Sequence, residues 1–205
     1  MLMMKKEQYT QNDVNVLSRE SIYQGFVKLE KVSLQYRLFN QNNYSHVVER
    51  ELIRRKKAAG VLIYNDEQKC FALIEQFRVG ALDEAHTPWH LEIVAGVLDG
   101  DETPESCIYR ESLEESGCEL YDLKHLFTFY PSAGSCDEIF YLYTAQAKLP
   151  SHGGIFGLAQ EGENIQLHLF NYNELNTLFE NCQLRNAPII IALQWLQQHI
   201  KTLLK

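Results

Sequence analysis

The alternation of apolar and polar positions divides the chain into short strand-like runs and a few helical ones. Between Val14 and Phe39, VNVLSRESIY and GFVKLEKVSLQYRLF are parted at Gln24–Gly25 and predict antiparallel strands, the second half buried. The polar stretch NQNNYSH at 40–46 is the expected boundary between an N-terminal sheet (1–45) and a second domain (46–205). So small a sheet cannot bury a face alone, so it is expected to pack on the second domain or on another subunit. HVVERELIRR, AAGVLIYN and KCFALIEQFRV read as three further strands. The last two are almost continuously apolar and form a hairpin around NDEQ with both faces covered. After a loop at 80–88, WHLEIVAG is expected as one strand, followed later by LKHLFTFYPS, EIFYLYTAQAKL and IQLHLFNY. NELNTLFENC and IIIALQWLQQHIKTLL read as helices, the latter capped by Asn186 near Pro188. PSHGGIFGLAQEGE at 150–163 looks like a mobile connection, and residues 1–12 look frayed. This order predicts an α/β (α+β) chain: a mixed sheet between helices, preceded by a small antiparallel sheet.

The run from Gly96 to Cys118, GVLDGDETPESCIYRESLEESGC, carries the chemistry. Thr103 can cap free N–H groups and Pro104 is tolerated at the first helical position, so a helix is predicted from Pro104 to Ser116. Gly117 suits a left-handed stop. At about 100° per residue, Glu111, Glu114 and Glu115 share one face of that helix. Three carboxylates set against a single arginine, Arg110, repel one another unless cations intervene, and hard oxygen ligands of this kind suit Mg²⁺. A solvated helix with surplus acids is the plainer alternative.

Composition narrows the setting. The chain has 205 residues, 45% of them hydrophobic, enough for one cored domain and an accessory element. A net charge of −8 argues against binding nucleic-acid backbones, and RRKK at 54–57 reads as a solvated turn. Cys70, Cys107, Cys118, Cys136 and Cys182 form no C-x-x-C pair, which favours packed thiols and a reducing cytoplasm. MLMMKKEQYTQNDV lacks a signal-peptide core, and no apolar run reaches membrane-spanning length. The seven histidines show no helix-face pairing.

The same run matches the Nudix signature, G-x5-E-x7-R-E-U-x-E-E-x-G-U with U aliphatic, at Gly96, Glu102, Arg110, Glu111, Glu114, Glu115 and Gly117. Ser112 and Cys118 stand where aliphatic residues are usual. Outside it, SRESIYQGF, RLFN, Val48–Glu51, LIEQFR, PWHLEIVAG, YPSAGSCDE, GLAQEGENI and NAPIIIALQWL resemble the bacterial ADP-ribose pyrophosphatases of the Nudix superfamily. The resemblance implies the Nudix α/β/α sandwich and a homodimer with exchanged N-terminal sheets. It also implies Mg²⁺-dependent cleavage of ADP-ribose to AMP and ribose 5-phosphate, with two or three ions and Mn²⁺ as a possible substitute.

By the same resemblance, Glu111 and Glu115 ligate metal with the Ala95 carbonyl, Glu114 is a weaker candidate, and Arg110 orients the carboxylates. Glu161 reaches the metals from the loop and is the chosen general base; Glu163 is its near rival and Glu138 the outsider. Arg50 and Glu51 meet the adenine, Arg78 the diphosphate, Phe26 stacks on the base from the partner subunit, and Ser132 and Glu138 lie near the terminal ribose. Each has a plainer reading: Arg78 as a strand-end charge, Glu51 as a wet strand face, Phe26 as a core aromatic, Glu161 and Glu163 as solvated loop acids. Ala133 replaces the usual proline of a loop that helps choose the substrate, so GDP-mannose, other nucleoside-diphosphate sugars and dinucleoside polyphosphates stay open. A non-catalytic ADP-ribose sensor is the alternative class, but the signature acids are all present and no basic helix-turn-helix is seen.

Overall fold

The computed structural model describes residues 9–39, 41–83, 86–181 and 184–203. Asn40, in the expected polar break, and Cys182 lie outside the described residues. The chain falls into two compact units, residues 1–55 with 130–138 and residues 56–129 with 139–205.

The first unit is a three-stranded antiparallel sheet in the order β1 (Val14–Gln24), β2 (Lys28–Tyr36), β3 (Val48–Arg54). β1 is exposed along its whole length, and Leu17 and Ile22 sit where its register against β2 slips. Among the described residues of this unit, only Val32, Val48 and Ser45 are buried. The segment 130–138 lies along the end of β3, where Ile53 N–H donates to the Ser135 carbonyl (2.8 Å) and Arg55 N–H to Asp137 (2.7 Å). Part of the stretch expected to fray is built: Thr10 caps a 3₁₀ turn at Gln11–Asp13, and the Tyr9 hydroxyl donates to the Leu38 carbonyl (3.1 Å).

The second unit is a mixed sheet between helices. Its strands are β4 (Ala58–Asn65), β5 (Cys70–Phe77), β6 (Trp89–Glu92), β7 (Val94–Val97), β8 (Leu120–Phe129), β9 (Phe140–Ala147), β10 (Ile155–Phe156) and β11 (Ile165–Asn171). The order is β10-β11-β5-β4-β9-β8, with β4 and β9 parallel and the other neighbours antiparallel. β4 is buried at every residue, as its unbroken apolar run demands. Its Ala59, Val61 and Ile63 face a core with α1 (Pro104–Ser116), through Cys107 and Ile108. Ala58, Leu62 and Tyr64 face a second core with α2 (Leu175–Glu180) and α3 (Ala187–Leu203). This is an α/β/α sandwich. α3 begins as expected, with the Asn186 side chain accepting from Ile189 N–H (3.1 Å).

One strand expected from the sequence is two. β4 and β5 pair only at Ile63–Asn65 and then diverge. The segment 89–97 fills the fork, pairing first with β5 as β6 and then with β4 as β7. Ile93, buried at the switch, separates them. The crossing sets Ala95 and Gly96 beside α1.

Candidate active site

α1 is fixed at both ends by local chemistry. Thr103 Oγ1 accepts from Ser106 N–H (3.2 Å), and Ser106 Oγ accepts from Thr103 N–H (3.1 Å). Gly117 closes the helix at φ 67°, a backbone conformation costly for a side chain. Ser112, at an aliphatic signature position, is fully buried but satisfied: its hydroxyl donates to the Cys118 carbonyl (2.8 Å).

The helix presents its acids in unequal surroundings. Glu115 is 2% exposed, and Ala95 N–H donates to its Oε2 (3.0 Å). Among the described residues no basic side chain pairs with it. Burial pushes its pKa up to about 8, against the Ala95 hydrogen bond, with Glu111 and Glu163 adding to the rise. Burial also raises Glu111, opposed by Arg110. The Glu111 side chain lies where a Cβ on Gly96 would be, so any larger residue at Gly96 would displace the Glu111 carboxylate. Arg110 donates to Glu102 (3.1 Å), Glu111 (2.7 Å) and Glu114 (3.0 Å). That hydrogen bond holds the Glu102 carboxyl below the usual range. With Glu111 and Glu114 turned to Arg110, the described residues contain no ready-made cage of three metal-ligating side chains.

The connection after β9, expected to be mobile and irregular, is stitched over its first half. β10 pairs with β11, Leu167 N–H donates to the Gly154 carbonyl (2.8 Å), and Gly157 N–H to the Glu114 carbonyl (3.0 Å). Phe156 packs against the α1-side core. What remains is a short turn containing Ala159–Glu161, in which the exposed Glu161 side chain makes no hydrogen bond or ion pair among the described residues. Glu163 turns inward: its Oε2 accepts from Leu158 N–H (3.0 Å), and its charge raises both Glu111 and Glu115.

Arg78 follows β5. Its Nε and Nη2 clasp the buried carboxylate of Glu92 on β6, with contacts of 2.6–3.1 Å. Sequence reasoning passed over Glu92; on an alternating strand it looks like a solvent-facing acid.

The other candidates lie in the first unit. Phe26, at the β1–β2 turn, is 95% exposed, which excludes the core-aromatic reading within this chain. The Arg55 guanidinium stands 5.5 Å from its ring centroid, and Arg55 Nε donates to Glu138 (3.4 Å). Arg50 and Glu51 are exposed on β3, opposite Val32 and Lys31. Ser132 is exposed, its carbonyl accepting from Cys136 N–H (3.0 Å). RRKK is therefore no simple solvated turn. Arg54 ends β3 and pairs with Asp137 (3.0 Å), Arg55 meets Glu138, and Lys56 meets Asp99 (2.9 Å). Arg55, like Glu92, carries no signal in the sequence, because its partners Phe26 and Glu138 are remote in it.

Residues 54–193 match the model of the NUDIX domain. The chain is 36% identical to the ADP-ribose pyrophosphatase of Escherichia coli (strain K12), over 95% of this chain and 93% of that protein. It is 32% identical to the ADP-ribose pyrophosphatase of Haemophilus influenzae, over 93% and 89%. It is 31% identical to the GDP-mannose pyrophosphatase of Escherichia coli O1:K1 / APEC, over 73% and 78%. A crystal structure of an ADP compounds hydrolase superposes with a TM-score of 0.70 at 20% identity, covering 95% of this chain and 97% of that one, a likeness of fold.

Proposed function

We propose, from the premise that this chain belongs to the NUDIX domain family, that it hydrolyses the diphosphate of ADP-ribose to AMP and ribose 5-phosphate with a divalent cation. The observation that carries this is Glu115: a carboxylate 2% exposed, without an ion-pair partner among the described residues, beside the half-buried Glu111. Such a group is costly unless a cation meets it. The donor set, all hard oxygen, fits Mg²⁺ held by Glu111 and Glu115 with Glu114 and the Ala95 carbonyl, and Mn²⁺ by the same chemistry. The ion supplies charge neutralisation for the diphosphate and Lewis acidity.

The chain's own residues do the rest. Arg110 holds Glu111 and Glu114 in place, and releasing them to a cation leaves Glu102 as its partner. Arg78, braced by Glu92, donates to diphosphate oxygens. A water adds to one phosphorus, the anhydride P–O bond breaks, and the leaving phosphate departs with that oxygen. Glu161 takes the proton of the attacking water. Its exposure and freedom from partners support this role, whereas Glu163 is committed to Leu158 N–H. Phe26, Arg50 and Glu51 bind the adenosine end, and Ser132 and Glu138 the terminal ribose. Exposed Val14, Val16, Leu17, Ile22 and Tyr23 on β1 support a homodimer that exchanges the N-terminal sheets. Unpaired Cys70, Cys107, Cys118 and Cys136 support a reducing, cytoplasmic setting. None of the described helices is long and apolar enough to cross a membrane.

The test is phosphate release through a coupled phosphatase, with ADP-ribose and GDP-mannose at equal concentration, with and without Mg²⁺. Faster, Mg²⁺-dependent release from ADP-ribose is expected. Release from GDP-mannose alone transfers the reading to that sugar, and tight ADP-ribose binding without release makes the protein a sensor.

A further inference from the structure

We propose that Asp137 is a positioning residue for substrate recognition: it holds the loop 130–138 against β3 as a rudimentary fourth strand, and so fixes where the terminal sugar of the substrate is read. This rests on the proposed placing of that sugar at Ser132 and Glu138, both on this loop.

β3 stands last in the order β1-β2-β3, so its outer edge would be open without the loop. Ile53 uses both backbone groups on that side: its N–H donates to the Ser135 carbonyl (2.8 Å), and its carbonyl accepts from Asp137 N–H (3.2 Å). Together these make a parallel bridge to Cys136. The next N–H along this edge belongs to Arg55, one residue past the end of β3. Asp137 Oδ1 accepts from it at 2.7 Å. A side chain thus replaces the backbone acceptor that a longer strand would supply. Within the loop, the Ser132 carbonyl accepts from Ser135 N–H (3.2 Å) and Cys136 N–H (3.0 Å), so the hold at 135–137 carries through to Ser132. Glu138, next in sequence, accepts from Arg55 Nε (3.4 Å).

The two contacts of the Asp137 carboxylate are unequal. Oδ2 meets Arg54 Nη1 at 3.0 Å, but the Arg54 and Asp137 side chains are 43% and 29% exposed, and an ion pair this wet contributes little. The bond to Arg55 N–H is charge-assisted and closes a backbone group left over where β3 ends. Arg50 and Glu51 on β3 therefore belong to one compact unit with Ser132 and Glu138. Under the proposed function this unit reads both ends of the substrate, and Asp137 sets the spacing between the two readings.

The test is isothermal titration of the full chain without metal, so that nothing turns over. ADP-ribose is compared with ADP, which lacks only the terminal ribose, on wild type, Asp137→Ala, Asp137→Asn and Arg54→Ala. Asp137 is partly exposed, so its truncation leaves the core intact, as thermal melts would show. Wild type is expected to bind ADP-ribose more tightly than ADP. Asp137→Ala should lose at least about tenfold in affinity for ADP-ribose and less than about twofold for ADP. Asp137→Asn keeps an oxygen for Arg55 N–H, and Arg54→Ala removes the exposed ion pair alone, so both should stay within about threefold of wild type. Hydrogen exchange of the Ile53 and Asp137 amides should quicken in Asp137→Ala, reporting the released loop without any ligand. Unchanged ADP-ribose affinity in Asp137→Ala, equal weakening of both ligands, or a wild type that holds ADP-ribose no more tightly than ADP overturns the proposal. Failure to hydrolyse ADP-ribose with Mg²⁺ counts against the proposed hydrolysis and leaves these titrations readable.

Discussion

The backbone N–H of Gly157 donates to the carbonyl of Glu114 at 3.0 Å, tying the loop that carries Glu161 and Glu163 to the helix that carries the clustered acids. Gly157 stands at φ 95°, and a Cβ there would lie 2.8 Å from the Cβ of Glu163. Gly157→Ala is therefore expected to shift the loop acids. The local cost is of order 1–3 kcal/mol, which a thermal melt would register. Turnover should fall at least about tenfold with KM little changed, since the proposed base Glu161 is carried by this loop. A variant with the melting shift but full kcat would reduce Gly157 to a purely structural role.

Glu115 gives the metal-free protein a characteristic pH response. Its folded pKa, about 8, lies above that of an unfolded glutamate, so the folded state holds the proton more tightly. The stabilisation is complete below the unfolded value of about 4.3 and is lost as pH rises towards 8, at up to about 1.4 kcal/mol per unit. Denaturant melts in EDTA should show this fall, and Glu115→Gln should flatten it. Added Mg²⁺ should restore stability at the high end, because cation and proton compete for one carboxylate. A fall just as steep in Glu115→Gln would assign the dependence to other groups.

Glu161→Gln is expected to lower kcat by at least about 10²-fold with little change in substrate affinity. Glu163→Gln should act differently, loosening the turn held at Leu158 and relieving charge on Glu111 and Glu115. If Glu161→Gln turns over normally while Glu163→Gln is dead, the base has been misassigned.

Phe26→Ala should raise KM, by a stacking contribution of about 1–3 kcal/mol, without lowering the melting temperature, since the ring is 95% exposed. Sedimentation should give a dimer at micromolar concentration. A monomer with full activity would remove the exchanged sheet from the account.

What the sequence determined on its own is local. The spacing from Gly96 to Gly117 set the ends of α1, because Thr103, Pro104 and Gly117 act within one turn of themselves, and it set the acidic face by helical period alone. The apolar runs of β4 and β5 likewise announced a sheet covered on both sides. What the tertiary structure alone decided depends on residues far apart in the chain. The split of 89–97 follows from the divergence of β4 and β5, which no pattern within the segment records. Arg55 finds Glu138 83 positions away, and Arg78 is braced across a strand pair by Glu92. The five shared acids of helix and loop read alike in sequence. Their burial and partners separate them, leaving Glu115 desolvated, Glu111 and Glu114 clamped by Arg110, Glu163 tied back and Glu161 open. Those differences are set by packing, and packing is what spacing along a chain does not encode.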